Sequence, residues 1–281
     1  MKIPIQDGLF LYTGAHGMGG LYCSPTHFEW DGVATGTPAR FYTDLCMRDA
    51  PNHPHPRVGW LVEAPPYAQC HYDWAVEHEA EFDCILTPCQ AYSDRGGPWR
   101  WYPHGGSHIP YQEWDVSRRK IRSGISFLAS NKMDAGGHKM RHAIYERFGY
   151  LHTFGSILNG AFTGKVEALA PYRYSVVVEG ERNAGCFSDH LLDCLALQTI
   201  PLYWGCPDIG RWFDLNGILP FETLDELSDL LTWPSKDDYT ARFNAGHIQR
   251  NLETARRYRV PEDWLWENYR DLFGGLECLS L

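Results

Sequence analysis

The feature that most constrains this chain is the alternation of short strand signals with helical ones. Seven apolar, β-prone runs, each closed by a turn signal, lie at residues 57–63 (RVGWLVE), 82–88 (FDCILTP), 124–130 (GISFLAS), 150–155 (YLHTFG), 173–179 (RYSVVVE), 199–205 (TIPLYWG) and 217–221 (GILPF). Between several of them sit helical patterns, at Gly137–Phe148, Ser188–Gln198 and Leu224–Leu231. Strands separated by crossover helices make parallel sheets, so the chain reads as α/β. The alternation is clearest after about residue 120, whereas the first 56 residues are poorer in pattern and rich in Gly, Pro and His. The polar stretch 117–124 (SRRKIRSG) precedes a clean strand and marks a boundary near 118. From Tyr239 to Phe273 the pattern is two helices divided by RVPED, with Pro261 at the first position of the second. The expected organisation is a first lobe over 1–118, a second over 119–260, and a C-terminal helix over 261–281 able to pack back on the first lobe.

Open parallel sheets bind ligands beyond the carboxyl ends of their strands. The run Arg173–Glu179 ends there in an acid, and the following loop contains Gly180 and Gly185, which permit close backbone approach. Ser188 is a good helix N-cap, and Leu191, Leu192, Leu195 and Leu197 supply an apolar face behind it. Free amides at such a helix start favour an anion such as a phosphate. An ordinary strand–helix–strand unit with an ordinary cap accounts for the same pattern equally well.

Composition excludes some classes. A formal net charge of −10 with no long Lys/Arg run argues against a nucleic-acid binder. The nine Cys form no CxxC pair and are odd in number, so reduced thiols in a cytoplasmic protein are expected. No transmembrane segment and no secretory h-region is expected from the sequence. The glycines of GAHGMGG (14–20) fit neither a dinucleotide fingerprint nor a P-loop, and HPHP (53–56) lacks a partner motif for a metal. No D-x-D pair follows a strand, so no metal is expected, and the adjacent residues Ser188, Asp189 and His190 cannot form a catalytic triad.

The stretch from Tyr172 to Pro207 resembles the donor-binding motif of the α-1,3-fucosyltransferases (glycosyltransferase family 10). That motif runs Y-x-F-x-x-x-F-E-N, a short loop, Y-V-T-E-K, and then I/V-P-I/V-x-x-G. Here YRYSVVVEG carries the first part with Tyr172 and Glu179 matching, CFSDH stands in place of Y-V-T-E-K, and TIPLYWGCP closes it. Four further pieces resemble the family in order: VGWLVEAPPY (58–67), FDCILTPCQAYSD (82–94), SFLASNK with HKMRHAIYERF (126–148), and LHTFGSILNG (151–160). The resemblance covers about residues 57 to 225. It departs where the family Lys is His190, the family Glu is Asp189, the family Tyr is Cys186 and the Asn after the strand acid is Gly180.

The resemblance implies a GT-B fold, two Rossmann-like lobes facing a central cleft, and an inverting transfer of a sugar from a nucleoside diphosphate donor to a glycan hydroxyl. GDP-fucose is the first donor it implies, as substrate and with no cofactor required. Glu63 occupies the place of the family's proposed base, with Asp94 as the fallback. Arg141 matches the Arg that contacts the donor diphosphate, and Lys132 lies nearby. Glu179 and Asp189 are expected to accept hydrogen bonds from sugar or ribose hydroxyls, with Glu179 also suited to holding its loop. Asn183, Cys186 and Ser188 are further loop candidates, and a protonated His190 could partly replace the family Lys. Three alternatives stand beside this reading: a transferase using another nucleotide-linked hexose or pentose, a non-catalytic glycan- or nucleotide-binding relative, and a dinucleotide-dependent enzyme.

Overall fold

The computed structural model describes residues 1–7, 24–32, 39–54, 56–114, 124–158, 164–232 and 234–273. The glycine-rich 14–20 stretch, His55 and the polar boundary around 118 lie outside the described residues.

The chain divides into two compact units, one formed by Met1–Gly106 with Val260–Leu281 and the other by Ser107–Arg259. The first unit holds a six-stranded sheet: β1 (Lys2–Gln6), β2 (Glu29–Asp31), β3 (Arg40–Thr43), β4 (Arg57–Trp60), β5 (Cys84–Thr87) and β6 (Trp99–Trp101). Their order is β2-β1-β3-β4-β5-β6, and every neighbouring pair is parallel. The helices α1 (Pro65–Glu77) and α2 (Gln90–Ser93) follow β4 and β5.

The second unit holds β7 (Ile125–Leu128), β8 (His152–Phe154), β9 (Tyr174–Val178), β10 (Ile200–Trp204) and β11 (Leu219–Pro220) in the order β11-β10-β9-β7-β8, again all parallel. Its helices are α3 (Gly136–Arg147), α4 (Lys165–Leu169), α5 (Asp189–Ala196), α6 (Leu224–Leu230), α7 (Lys236–Asn244) and α8 (His247–Arg256). This is an α/β fold with a parallel Rossmann-like sheet in each unit.

All seven strand runs of the sequence become strands. In the second unit the central strands β9 (YSVVV) and β10 (IPLYW) are buried at every position, on both faces, which is why they read as continuous apolar runs and not as alternating ones. Four strands carried no usable signal. β1 contains Pro4, and β2 and β6 are three residues long.

The last helix, α9 (Pro261–Asn268), opens with Pro261 and belongs to the first unit. Leu265 of α9, with Leu272 and Phe273 beyond it, joins Phe28, Trp30, Phe41 and Trp60 in that unit's core. The buried Nε1 of Trp30 donates to Glu262 at 3.4 Å.

Candidate active site

The second unit's site is built outward from the carboxyl end of β9. Glu179 follows Val178 and is 4% exposed. Its main-chain amide continues the ladder to the carbonyl of Trp204 at 2.8 Å, so the side chain is fixed at a strand end. A buried carboxylate needs donors. Its Oε1 accepts from the Ser188 amide at 3.1 Å and from the Tyr203 hydroxyl at 3.3 Å, and its Oε2 accepts from Ser188 Oγ. Burial still dominates and raises its pKa. Ser188 Oγ in turn accepts from the His190 amide at 3.2 Å, capping α5. One carboxylate therefore ties the strand end, the returning loop and the helix start together.

Glycines allow the elements to crowd this point. A Cβ on Gly137 would overlap the Glu179 carbonyl oxygen and lie 2.7 Å from that of Gly180. Only glycine lets the first turn of α3 abut the end of β9. The Gly137 amide donates to the Gly180 carbonyl at 2.8 Å, and the Gly136 amide to Glu181 Oε1 at 2.6 Å. Gly185 takes a left-handed φ of 79° and gives its amide to Asp208 Oδ1 at 2.9 Å.

Arg141 lies on α3 with 4% of its surface exposed. Its Nε and Nη2 donate to the Val178 carbonyl, the former at 3.1 Å, and Nη2 also meets His190 Nε2 at 3.2 Å. A guanidinium can only donate, so Nε2 of His190 accepts and the imidazole is neutral. Desolvation, reinforced by the neighbouring Arg141, holds the His190 pKa well below its ordinary value even against the pull of Asp189.

Asp189 faces an ionic cluster that the sequence did not suggest. The Lys165 ammonium pairs with Asp189 and, at 2.5 Å, with Asp193, which is fully buried. Asp193 Oδ1 also accepts from Ser107 Oγ at 2.6 Å and from the His108 amide at 2.9 Å, while His108 Nδ1 meets Asp189 at 2.9 Å. Burial opposes ionisation of Asp189, but the Lys165 charge outweighs it and holds that carboxyl well below its usual range. The hydrogen bond to Asp189 raises the His108 pKa. Ligand atoms of His108, Asp189 and Asp193 lie within 4.8 Å of one another, the spacing of a metal site. The Lys165 ammonium already supplies the cation between the two carboxylates, which satisfies them as a structural ion cluster. The signal for it was the like-charge pair at i and i+4 on α5, which repels unless a cation sits beside it.

Hydrogen bonds thus join Arg141, His190, Ser188 and Glu179 into one neighbourhood, with Gly180 and Asp189 beside them in the chain and Asn183 and Cys186 on the same loop. The Asn183 carbonyl accepts from the Cys186 amide at 3.2 Å, and its buried Nδ2 has no partner among the described residues. Lys132 is exposed on the loop before α3. Glu63 and Asp94 belong to the first unit. Glu63 follows β4 in a short loop, half-buried, and its carbonyl accepts from the Tyr72 hydroxyl at 3.0 Å. Asp94 is exposed at the end of α2 and accepts from Gln90 Nε2. Among the described residues no helix is long and apolar enough to cross a membrane.

No family model matches the chain. By sequence it is 26% identical over 128 residues to the α-(1,3)-fucosyltransferase FucT of Helicobacter pylori, a match that spans 42% of this chain and 26% of that protein. By structure it superposes on an α-1,3-fucosyltransferase crystallised with GDP at a TM-score of 0.53 and 16% identity, covering 84% of this chain and 83% of that one. It superposes comparably on the UDP complex of TarM from S. aureus, at a TM-score of 0.56 and 9% identity over 84% of this chain and 55% of that one. An α-glucosyltransferase bound to UDP and DNA gives 0.53 and 11%, over 84% and 80%. The chain is a distant relative of the α-1,3-fucosyltransferases, with the α/β architecture of the GT-B glycosyltransferases.

Proposed function

We propose that the protein is an inverting glycosyltransferase that moves a sugar from a nucleoside diphosphate, GDP-fucose first, to a hydroxyl of a glycan acceptor. The observation that carries this reading is the clamp of Glu179 on Ser188 at the mouth of a parallel sheet. It stands at the position where the sequence resembles a GDP-fucose motif, in a fold matched by a crystal structure of an α-1,3-fucosyltransferase with GDP-fucose. In this reading the loop 180–188 receives the nucleotide sugar and Arg141 supplies the positive field for the diphosphate. Glu63 takes the proton of the attacking hydroxyl, with Asp94 as the alternative. Transfer forms the bond from the acceptor oxygen to the anomeric carbon and breaks the bond to the diphosphate, which leaves as GDP.

A panel of nucleotide sugars, read as released GDP or UDP and as thermal shift with the free nucleotides, tests it. Stabilisation by GDP above UDP, with GDP released from GDP-fucose, is the expected outcome. A response to UDP alone reassigns the donor, and the absence of both binding and release overturns the reading.

One observation favours a non-catalytic relative. The position of the family Lys holds a neutral His190, so a cation expected beside the diphosphate is missing. That reading predicts nucleotide binding without release, and turnover abolished by Glu63→Gln excludes it.

A further inference from the structure

Asp44 in the first unit is the least ordinary residue of its sheet. It follows β3 directly, at the carboxyl end where the β4 loop also emerges. It is 3% exposed and holds a left-handed φ of 38°, a region that non-glycine residues occupy at a cost. Its Oδ1 accepts from the amide of Val62 at 3.0 Å, 18 residues along the chain. Its Oδ2 is buried and has no hydrogen-bond partner among the described residues. A strained, buried carboxylate persists only where the surroundings over-determine it.

The segment it holds is the one that carries Glu63, and the hydrogen bonds of that segment pin it. The Leu61 amide donates to the Leu86 carbonyl at 2.9 Å, and the Leu61 carbonyl accepts from the Tyr102 hydroxyl at 3.1 Å. The Glu63 carbonyl accepts from the Tyr72 hydroxyl at 3.0 Å. Val62 is itself 2% exposed, and its amide is met by the Asp44 carboxyl. Without Asp44 a buried N–H would be orphaned next to Glu63, and the loop would have to move to satisfy it.

We infer that Asp44 is a positioning residue for Glu63, fixing the 61–64 segment through the Val62 amide so that the proposed base is presented in one geometry. The inference rests on Glu63 being the base, and the test separates the two. Two substitutions suit the left-handed backbone. Asp44→Gly accepts the positive φ and removes the acceptor, while Asp44→Asn tolerates the same φ and keeps an oxygen for Val62.

With GDP-fucose as donor, Asp44→Gly is expected to lower kcat roughly tenfold or more with donor KM within about twofold, because a small misplacement of a reacting group costs rate and not binding. Asp44→Asn is expected to recover most of it. In a Glu63→Gln background, Asp44→Gly should have no further effect, and effects that multiply would show Asp44 acting elsewhere and overturn the inference. Hydrogen exchange at the Val62 amide reads the hold on the loop without any turnover: faster in Asp44→Gly and near wild type in Asp44→Asn is expected, and unchanged exchange in Asp44→Gly overturns the inference. If Glu63→Gln keeps full turnover, the reading of Glu63 falls, and the exchange result decides Asp44's hold on its own.

Discussion

Arg141 Nη2 donates to Nε2 of His190 across 3.2 Å, from α3, the helix after β7, to the first turn of α5, the helix after β9. The contact decides the charge of His190. An imidazole that accepts from a guanidinium carries no proton on that nitrogen, so the pair contributes one positive charge and not two.

The first prediction follows from that charge. A histidine whose folded pKa is depressed gives stability that is present above its unfolded pKa, about 6.5, and lost as pH falls below it. His190→Gln keeps an acceptor for Arg141 and cannot be protonated. Between pH 7 and pH 5 the wild type should lose stability relative to this variant, measured as the difference in Tm. His108 has the opposite sign, since its pKa is raised, but it is present in both proteins and cancels in the difference.

Lys165 stands between two acids, one of them fully buried. Lys165→Met leaves both carboxylates without their cation and should cost about 3 kcal/mol or more, read from urea unfolding. Adding Asp189→Asn and Asp193→Asn to that variant should recover a large part, because the uncompensated charge goes with them.

Gly137→Ala should be much worse than Gly96→Ala. The first drives a methyl into the Glu179 carbonyl, so α3 or β9 must shift, at the upper end of about 1–3 kcal/mol or beyond. Gly96 has a φ of 72° and open space around a Cβ, so it meets only backbone strain of about 1–2 kcal/mol. Only Gly137→Ala should also weaken nucleotide binding in a titration with GDP, because it displaces the Glu179 loop.

The Asp44 carboxyl is raised to about 7, first by burial and then by Glu63 and Asp7, against the amides of Val62 and Glu63 that favour its ionised form. An acid raised in the folded state gives stability that is full below its unfolded pKa of about 3.9 and lost as pH rises towards 7. Relative to Asp44→Asn, the wild type should therefore lose up to about 1.4 kcal/mol per pH unit inside that window, followed by denaturant unfolding from pH 4 to pH 8.

What could be read from the residues alone depended on distance along the chain. The central strands β7, β9 and β10 of the second unit announced themselves because each is a short, mostly apolar run with little or no exposed surface. Ser188 was legible as a cap because the capping bond spans only two residues. The ion cluster left only the like-charge pair Asp189 and Asp193 as a local trace, since its partners Ser107 and His108 reach Asp193 across 86 and 85 residues. Arg141 was legible as a cation on a helix, but not its inward aim, because the Val178 carbonyl that captures it lies 37 residues away. Asp44 was invisible for a different reason: an aspartate after a strand looks like any turn residue until its φ and its burial are known.

The first unit takes its last helix from the far end of the chain, with Leu265, Leu272 and Phe273 in its core. A ribosome delivers the whole of Ser107–Arg259 before those side chains exist. The body built from both ends of this sequence is therefore the later of the two to close, and until it does, Phe28, Trp30, Phe41 and Trp60 lack the covering that Leu265, Leu272 and Phe273 give them. The middle segment is continuous and should fold when expressed by itself, whereas a fragment ending at Gly106 would carry an aromatic sheet face in water and should aggregate.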